Sequence, residues 1–369
     1  MISTRKRLSI GLAAVALSML MATQALAGPH QAGKRSALPA KCNGESKGTI
    51  GFANAYMDGS DPTWVSMNDY ARYLANQRCY DILLLNNNID GPTAIKNANL
   101  MISKKVKYAI EFQVIAAANA VINAKLAKAK IPVITFDVDS KGWHFVGVPN
   151  AKVGRMAGTR LGRFAQREWN CKADLVLIVG GAAAGPVVKV RMDGARAGLL
   201  SVCPNLKSVI DFRDGGTGTG PEIQTLTRNS LAAHPNARRI LTLHGGGTEI
   251  ESINAAEQVG RADHMYGYGQ GGSGVIGKKQ VNSHLIGEIA YFLDSYPYFA
   301  FKLIDKFDAG ETIKNDDTPT SPNATVVQVC AISPEVGKTI PGAKERIKRI
   351  IAAKNKTMAQ LFCPKGTIG

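Results

Sequence analysis

Residues 108–136 read YAIEFQVIAAANAVINAKLAKAKIPVITF. Tyr108–Phe112 is a short apolar run and Pro132–Phe136 is a second. Between them Ala116–Lys128 carries its apolar residues at helical spacing. Two short runs joined by an amphipathic helix predict a strand, a crossover helix and a parallel strand. The same unit repeats outward. Upstream lie apolar runs at Thr49–Asn54 and Tyr80–Leu85, with a helical stretch at Thr93–Ser103. After Pro149 the pattern restarts: helices at Ala151–Trp169 and Val187–Ser201, strands at Asp174–Val179 and Ser208–Phe212. Strands at Arg239–Leu243 and His264–Tyr268 follow, with a helix at Glu249–Gly260 between them. The predicted fold class is α/β, with two doubly wound, Rossmann-like parallel-sheet lobes. Ligands of such sheets sit beyond the carboxyl ends of the strands, so two facing lobes would share one cleft.

Arg5, Lys6 and Arg7 precede an apolar run from Leu8 to Met21, and Ala25–Ala27 supplies small residues for cleavage. This predicts a signal peptide over 1–27, cut near Ala27, and a soluble exported chain. The apolar run is shorter than the roughly 20 residues that span a bilayer. Six cysteines in an exported chain are expected to pair. Sequential pairing, Cys42 with Cys79, Cys171 with Cys203 and Cys330 with Cys363, is favoured because the first two pairs each bracket one strand–helix unit. Buried free thiols are the alternative, and no Cys/His cluster suggests a metal.

Two glycine-rich segments imitate catalytic motifs. Gly267, Gly269 and Gly272 have G-x-G-x-x-G spacing, and Gly272, Gly277 and Lys278 have that of a phosphate loop. Lys279 stands where such a loop needs Ser or Thr for magnesium. Gly269–Gly274 is instead expected to be a loop at a strand's carboxyl end, facing the cleft. His244 followed by Gly245–Gly247 imitates an esterase oxyanion motif, but no G-x-S-x-G elbow accompanies it. No catalytic residue, cofactor or metal is assigned.

The formal net charge of +17 falls by three, to +14, without Arg5, Lys6 and Arg7. No basic motif interleaved with aromatics accompanies this charge, so nucleic acid is not expected as a partner. The densest basic cluster, Lys344–Lys356, has Ile347, Ile350, Ile351 and Met358 spaced for one apolar helix face. It reads as a basic helical tail docked on the body, with contact to a membrane surface as the second reading. Ser36–Lys47 and Asp316–Asn323 read as exposed linkers.

Thr49–Asn54 followed by Ser60–Trp64, Ala129–Asp137, Val146–Asn150 leading to Gly154 and Ala157–Gly158, Lys189–Gly194, and Tyr296–Tyr298 resemble the ribose-type (type I) periplasmic substrate-binding proteins of ABC importers. The resemblance covers about residues 48–330. It implies two interleaved lobes joined by three hinge segments near Pro149, Ser295 and Pro322. Lobe 1 is then 48–148 with 296–321, and lobe 2 is 149–295 with 322–335. Residues 28–47 form an exposed N-terminal linker and 336–369 the C-terminal tail.

Sugars and polyols are held by planar polar side chains that fork onto hydroxyls and by aromatic faces stacked on the ring. The resemblance places Asp61 as a polar ligand contact, Trp64 as a stacking face and Asp137 as the carboxylate after the fourth strand. Asp61 reads equally as a helix N-cap before Pro62, and Trp64 also reads as core. Tyr56 follows the first strand towards the same space. Lys189 and Arg191 occupy basic positions of the second lobe. The polar residues the family has near 245, 269 and 295 read as Gly245, Gly269 and Ser295, and neighbouring His244, at a strand end, Thr248 and Gln270 could take their place; a structural role for His244 is the alternative. Val138 stands where the family has an arginine, and lysine at 189 cannot make a planar fork. Fewer forks and more glycine imply a larger, less hydroxylated or partly aromatic ligand. The implied function is a periplasmic, monomeric solute receptor. It would close on a small molecule and deliver it to an inner-membrane ABC permease. The alternatives are a receptor feeding a sensor kinase or chemoreceptor, and a secreted enzyme on the same fold.

Overall fold

The computed structural model describes residues 38–57, 62–181, 185–216, 218–272, 274–354 and 356–368. The expected signal peptide, the first half of the expected linker (28–37), and Asp61 lie outside the described residues. The first lobe opens with β1 (Thr49–Asn54), α1 (Pro62–Gln77), β2 (Asp81–Asn86), α2 (Gly91–Ser103) and β3 (Tyr108–Glu111). It continues through α3 (Ala116–Lys128), β4 (Val133–Phe136) and β5 (His144–Gly147). The second lobe begins with α4 (Asn150–Trp169), β6 (Leu175–Gly180), α5 (Pro186–Val202), β7 (Ile210–Asp214) and α6 (Gly220–Ala233). It is extended by β8 (Ile240–His244), α7 (Glu249–Gln258), β9 (Met265–Gly271) and β10 (Leu285–Ala290). The chain then adds α8 (Tyr296–Asp308), β11 (Thr325–Val326), β12 (Cys330–Ile332), α9 (Pro334–Thr339), α10 (Ala343–Ala353) and α11 (Met358–Phe362).

Each lobe is built on one six-stranded sheet, ordered β11-β5-β4-β3-β1-β2 and β12-β10-β9-β8-β6-β7. All pairings are parallel except β10 with β12, which is antiparallel. The central strands β3, β4 and β6 are buried along their whole length, as expected of strands covered by helices on both faces. The third crossing differs from its expected place near Pro322. Thr325 and Val326 pair in parallel with Val146 and Gly147, so the chain is still in the first sheet there. Asp316 is likewise no exposed linker residue: it is buried, and its carboxylate lies 2.7 Å from Nδ1 of His144.

The closest helix pair is α4 on α5. A Cβ at Gly154 or Gly158 would collide with the carbonyl oxygen of Arg191 or Ala195, and one at Gly194 or Gly198 with that of Ala151 or Arg155. Glycine at these positions lets the two backbones touch. That contact fixes α5, which carries Arg191, against the start of α4. Three disulfides, Cys42–Cys79, Cys171–Cys203 and Cys330–Cys363, join the pairs expected from the sequence. The third holds the C-terminal tail to β12. In the tail Ile347, Ile350 and Met358 are buried, as their spacing predicts, and Arg346 reaches Asp294 at 2.8 Å. Among the described residues no helix is long and apolar enough to cross a membrane.

Candidate functional site

A cavity of about 190 Å³ lies at the carboxyl ends of both sheets, with walls from both lobes. From the first lobe come Trp64, in the opening turn of α1, and Phe112, which directly follows β3. Their rings are 5.5 Å apart and tilted, and Phe112 packs edge-on against Phe136 behind it. From the second lobe come Val187 and Val188 at the start of α5, Ile223 in α6, and bare backbone at Gly180 and Gly246. Tyr291 and Leu293, in the segment that crosses between lobes, close one end.

Asp137 and Arg191 meet in this wall as a buried ion pair, Nη2 to Oδ2 at 2.9 Å. Arg191 also donates through Nε to Oδ1 of Asn150 at 2.6 Å, and its guanidinium lies 5.3 Å from the centre of the Tyr291 ring. The other oxygen of Asp137 accepts from the Val148 amide at 3.0 Å and from the Tyr296 hydroxyl at 2.9 Å. Both carboxylate oxygens are thus occupied by the protein. Burial works against the Arg191 charge, but Tyr291, Asp137 and Tyr296 leave its pKa raised. The pair joins the residue that follows β4 of one lobe to α5 of the other.

The remaining described candidates stand apart from the wall. His244 is fully buried, with Nε2 2.8 Å from Oγ of Ser252 and Nδ1 3.0 Å from Oγ1 of Thr248. Burial pushes its pKa down to about 3, so it is neutral. Gln270 is also fully buried and donates to the His244 carbonyl. Together they back Thr248, which does line the cavity. Lys189 points away and pairs with Asp193 at 2.6 Å on the surface. Tyr56 is not in the wall.

The glycine loop is placed differently from expectation. Gly269, Gln270 and Gly271 belong to β9, and the following turn folds onto Glu288, whose carboxylate accepts from the Gly274 and Val275 amides at 3.0 and 3.1 Å. The buried Glu288 draws those amides inward, so the turn packs on its own lobe instead of lining the cavity. Phe112, Tyr291, Val188 and Gly246 were missed. Phe112 ends a predicted strand, a signal available in the sequence. Tyr291 follows β10, a strand the apolar pattern did not reveal.

The sequence model described as a periplasmic binding protein domain matches residues 50–279. The chain belongs to the periplasmic binding protein family. Solved structures share its two-lobed fold at low identity. A solute-binding protein of an ABC transporter from Actinobacillus succinogenes, with bound D-allose, is 20% identical and superposes with a TM-score of 0.63, covering 79% of this chain and 100% of that one. A Mycobacterium smegmatis protein in complex with β-D-fucofuranose is 16% identical, with a TM-score of 0.64 and coverage of 85% and 97%. A Bacillus halodurans solute-binding protein with bound myo-inositol is 14% identical, with a TM-score of 0.62 and coverage of 80% and 97%. No curated protein sequence matches the chain. In this periplasmic binding protein the shared architecture surrounds a wall that is mostly apolar.

Proposed function

We propose that this protein is an exported, monomeric solute receptor. It captures a small molecule in the interlobe cavity, closes over it, and presents the closed form to an inner-membrane ABC permease. The observation that carries this reading is the cavity's position: one ligand there touches Trp64 and Phe112 of one lobe and Val188 and Gly246 of the other. A ligand that contacts both lobes stabilises the closed population by its differential affinity for it. Trp64 supplies a stacking face, and the Asp137–Arg191 pair fixes the two walls relative to each other. Catalysis is not part of the reading. The Ser252–His244 contact has hydrogen-bond length, but both residues are fully buried beneath the wall, where a substrate does not reach them.

The test is a melting-temperature screen of the exported, oxidised chain against sugars, polyols, aromatic compounds and amines, run beside Gly246→Leu. Gly246 lines the cavity, and a Cβ there meets no atom within 4 Å, so a side chain can start from this position and a leucine adds bulk at the cavity wall. The expected result is a compound that stabilises the parent and leaves the variant unmoved. Equal stabilisation of both, or no stabilising compound in a broad library, overturns the reading.

A further inference from the structure

Resting on that receptor reading, we propose that the cavity selects a small, neutral aromatic alcohol or phenol rather than a sugar. Its size sets the first limit. About 190 Å³ holds a single ring with a short substituent, since an apolar cavity on the order of 150 Å³ accommodates benzene. The wall sets the second. Trp64, Phe112, Val187, Val188, Ile223 and Leu293 present carbon to the cavity, and among the described residues only four lining side chains carry a polar or charged group besides the Trp64 indole: Asp137, Arg191, Thr248 and Tyr291.

Three of those four are already engaged. Asp137 accepts at both oxygens, from Arg191, Val148 and Tyr296. Arg191 donates to Asn150 and Asp137. Thr248 shares a hydrogen bond with Nδ1 of His244. What remains is the Tyr291 hydroxyl, on a residue only 3% exposed, and the Trp64 indole N–H. Neither makes a hydrogen bond among the described residues. These two groups, with the capacity the Thr248 hydroxyl retains beside its one bond, match one or two polar atoms on a ligand, and a pyranose brings more hydroxyls than the described side chains pair. Each unpaired hydroxyl weakens binding by on the order of tenfold. A ring beside Trp64 and Phe112 instead buries apolar area and makes tilted aromatic contacts.

Charge sets the third limit. Asp137 and Arg191 neutralise each other at 2.9 Å, and the nearest further cation of α5, Lys189, is paired at the surface. Among the described residues the wall therefore offers an acid no unpaired cation, and an amine no unpaired carboxylate.

Phenol and benzyl alcohol, benzoate as the charged analogue, and D-ribose, D-allose and myo-inositol as the hydroxylated set are titrated into the exported chain by calorimetry. The expected result is that phenol or benzyl alcohol binds at least tenfold more tightly than benzoate and than any of the sugars or the polyol. Tyr291→Phe should weaken that binding about tenfold while leaving the melting temperature of the free protein unchanged. A sugar or the polyol that binds as tightly as the aromatic probes, and is lost in Gly246→Leu, overturns the ligand class and leaves the receptor reading standing. Binding of none of the probes overturns the ligand class, and the broad library screen then decides the receptor reading separately.

Discussion

Glu111 is fully buried at the end of β3 and accepts from Nδ2 of Asn87 at 3.2 Å, and burial pushes its pKa up to about 8. Glu288 is pushed up to about 7 for the same reason, with the Gly274 and Val275 amides holding it back. A carboxyl whose folded pKa lies above its unfolded one favours the native state fully below the unfolded value, near 4.5, and loses that contribution as pH rises through the folded value. His244 has the opposite sign: its pKa falls from 6.5 to about 3, so its contribution is complete above 6.5 and is lost on acidification. The two effects oppose each other between about 4.5 and 6.5, and above that window only the carboxyls act. The melting temperature should therefore fall from pH 6.5 to pH 8.5, and Glu111→Gln should flatten that fall. A slope unchanged in Glu111→Gln would show that Glu111 does not titrate there. Asp137 illustrates what sequence reasoning reaches at this scale. Its place after β4 was legible, and so was its nearness to the cleft. Its partnership with Arg191 was not, because 54 residues separate the two and only the apposition of the lobes brings them together.

Helices α4 and α5 owe their contact to glycines spaced four apart, Gly154 and Gly158 facing Gly194 and Gly198. Gly158→Val should lower stability by about 1–3 kcal/mol or more, because the added methyls displace one backbone from the other. Urea unfolding measures it, and a midpoint like the parent's would contradict the packing described. The paired glycine spacing is visible in the sequence, as are most strands of both sheets, since β1, β3, β4, β6 and β8 are short runs dominated by apolar residues. Helix α6 went unread although Thr219, Pro221 and Glu222 spell its start, and the structure has Thr219 and Glu222 as a capping box. Strand β10 went unread for a physical reason. Gly287 and Glu288 interrupt its apolar run, and Glu288 is tolerated inside only because two backbone amides receive it.

At the scale of the molecule, one chain passes between two sheets three times, after β5, after β10 and after β11. The Asp137–Arg191 pair ties the two lobes and is buried beside the cavity. The two-lobed winding was legible because strand–helix repetition is local. The character of the cavity was not, because it depends on which side chains from distant segments face one another and on which polar groups are already paired. The most direct test is small-angle X-ray scattering of the exported chain, free and with a saturating ligand found in the screen, beside Gly246→Leu. The account predicts that the radius of gyration falls in the parent when ligand is added and stays constant in the variant. A radius unchanged in the parent at saturation, or a fall of the same size in Gly246→Leu, would contradict it.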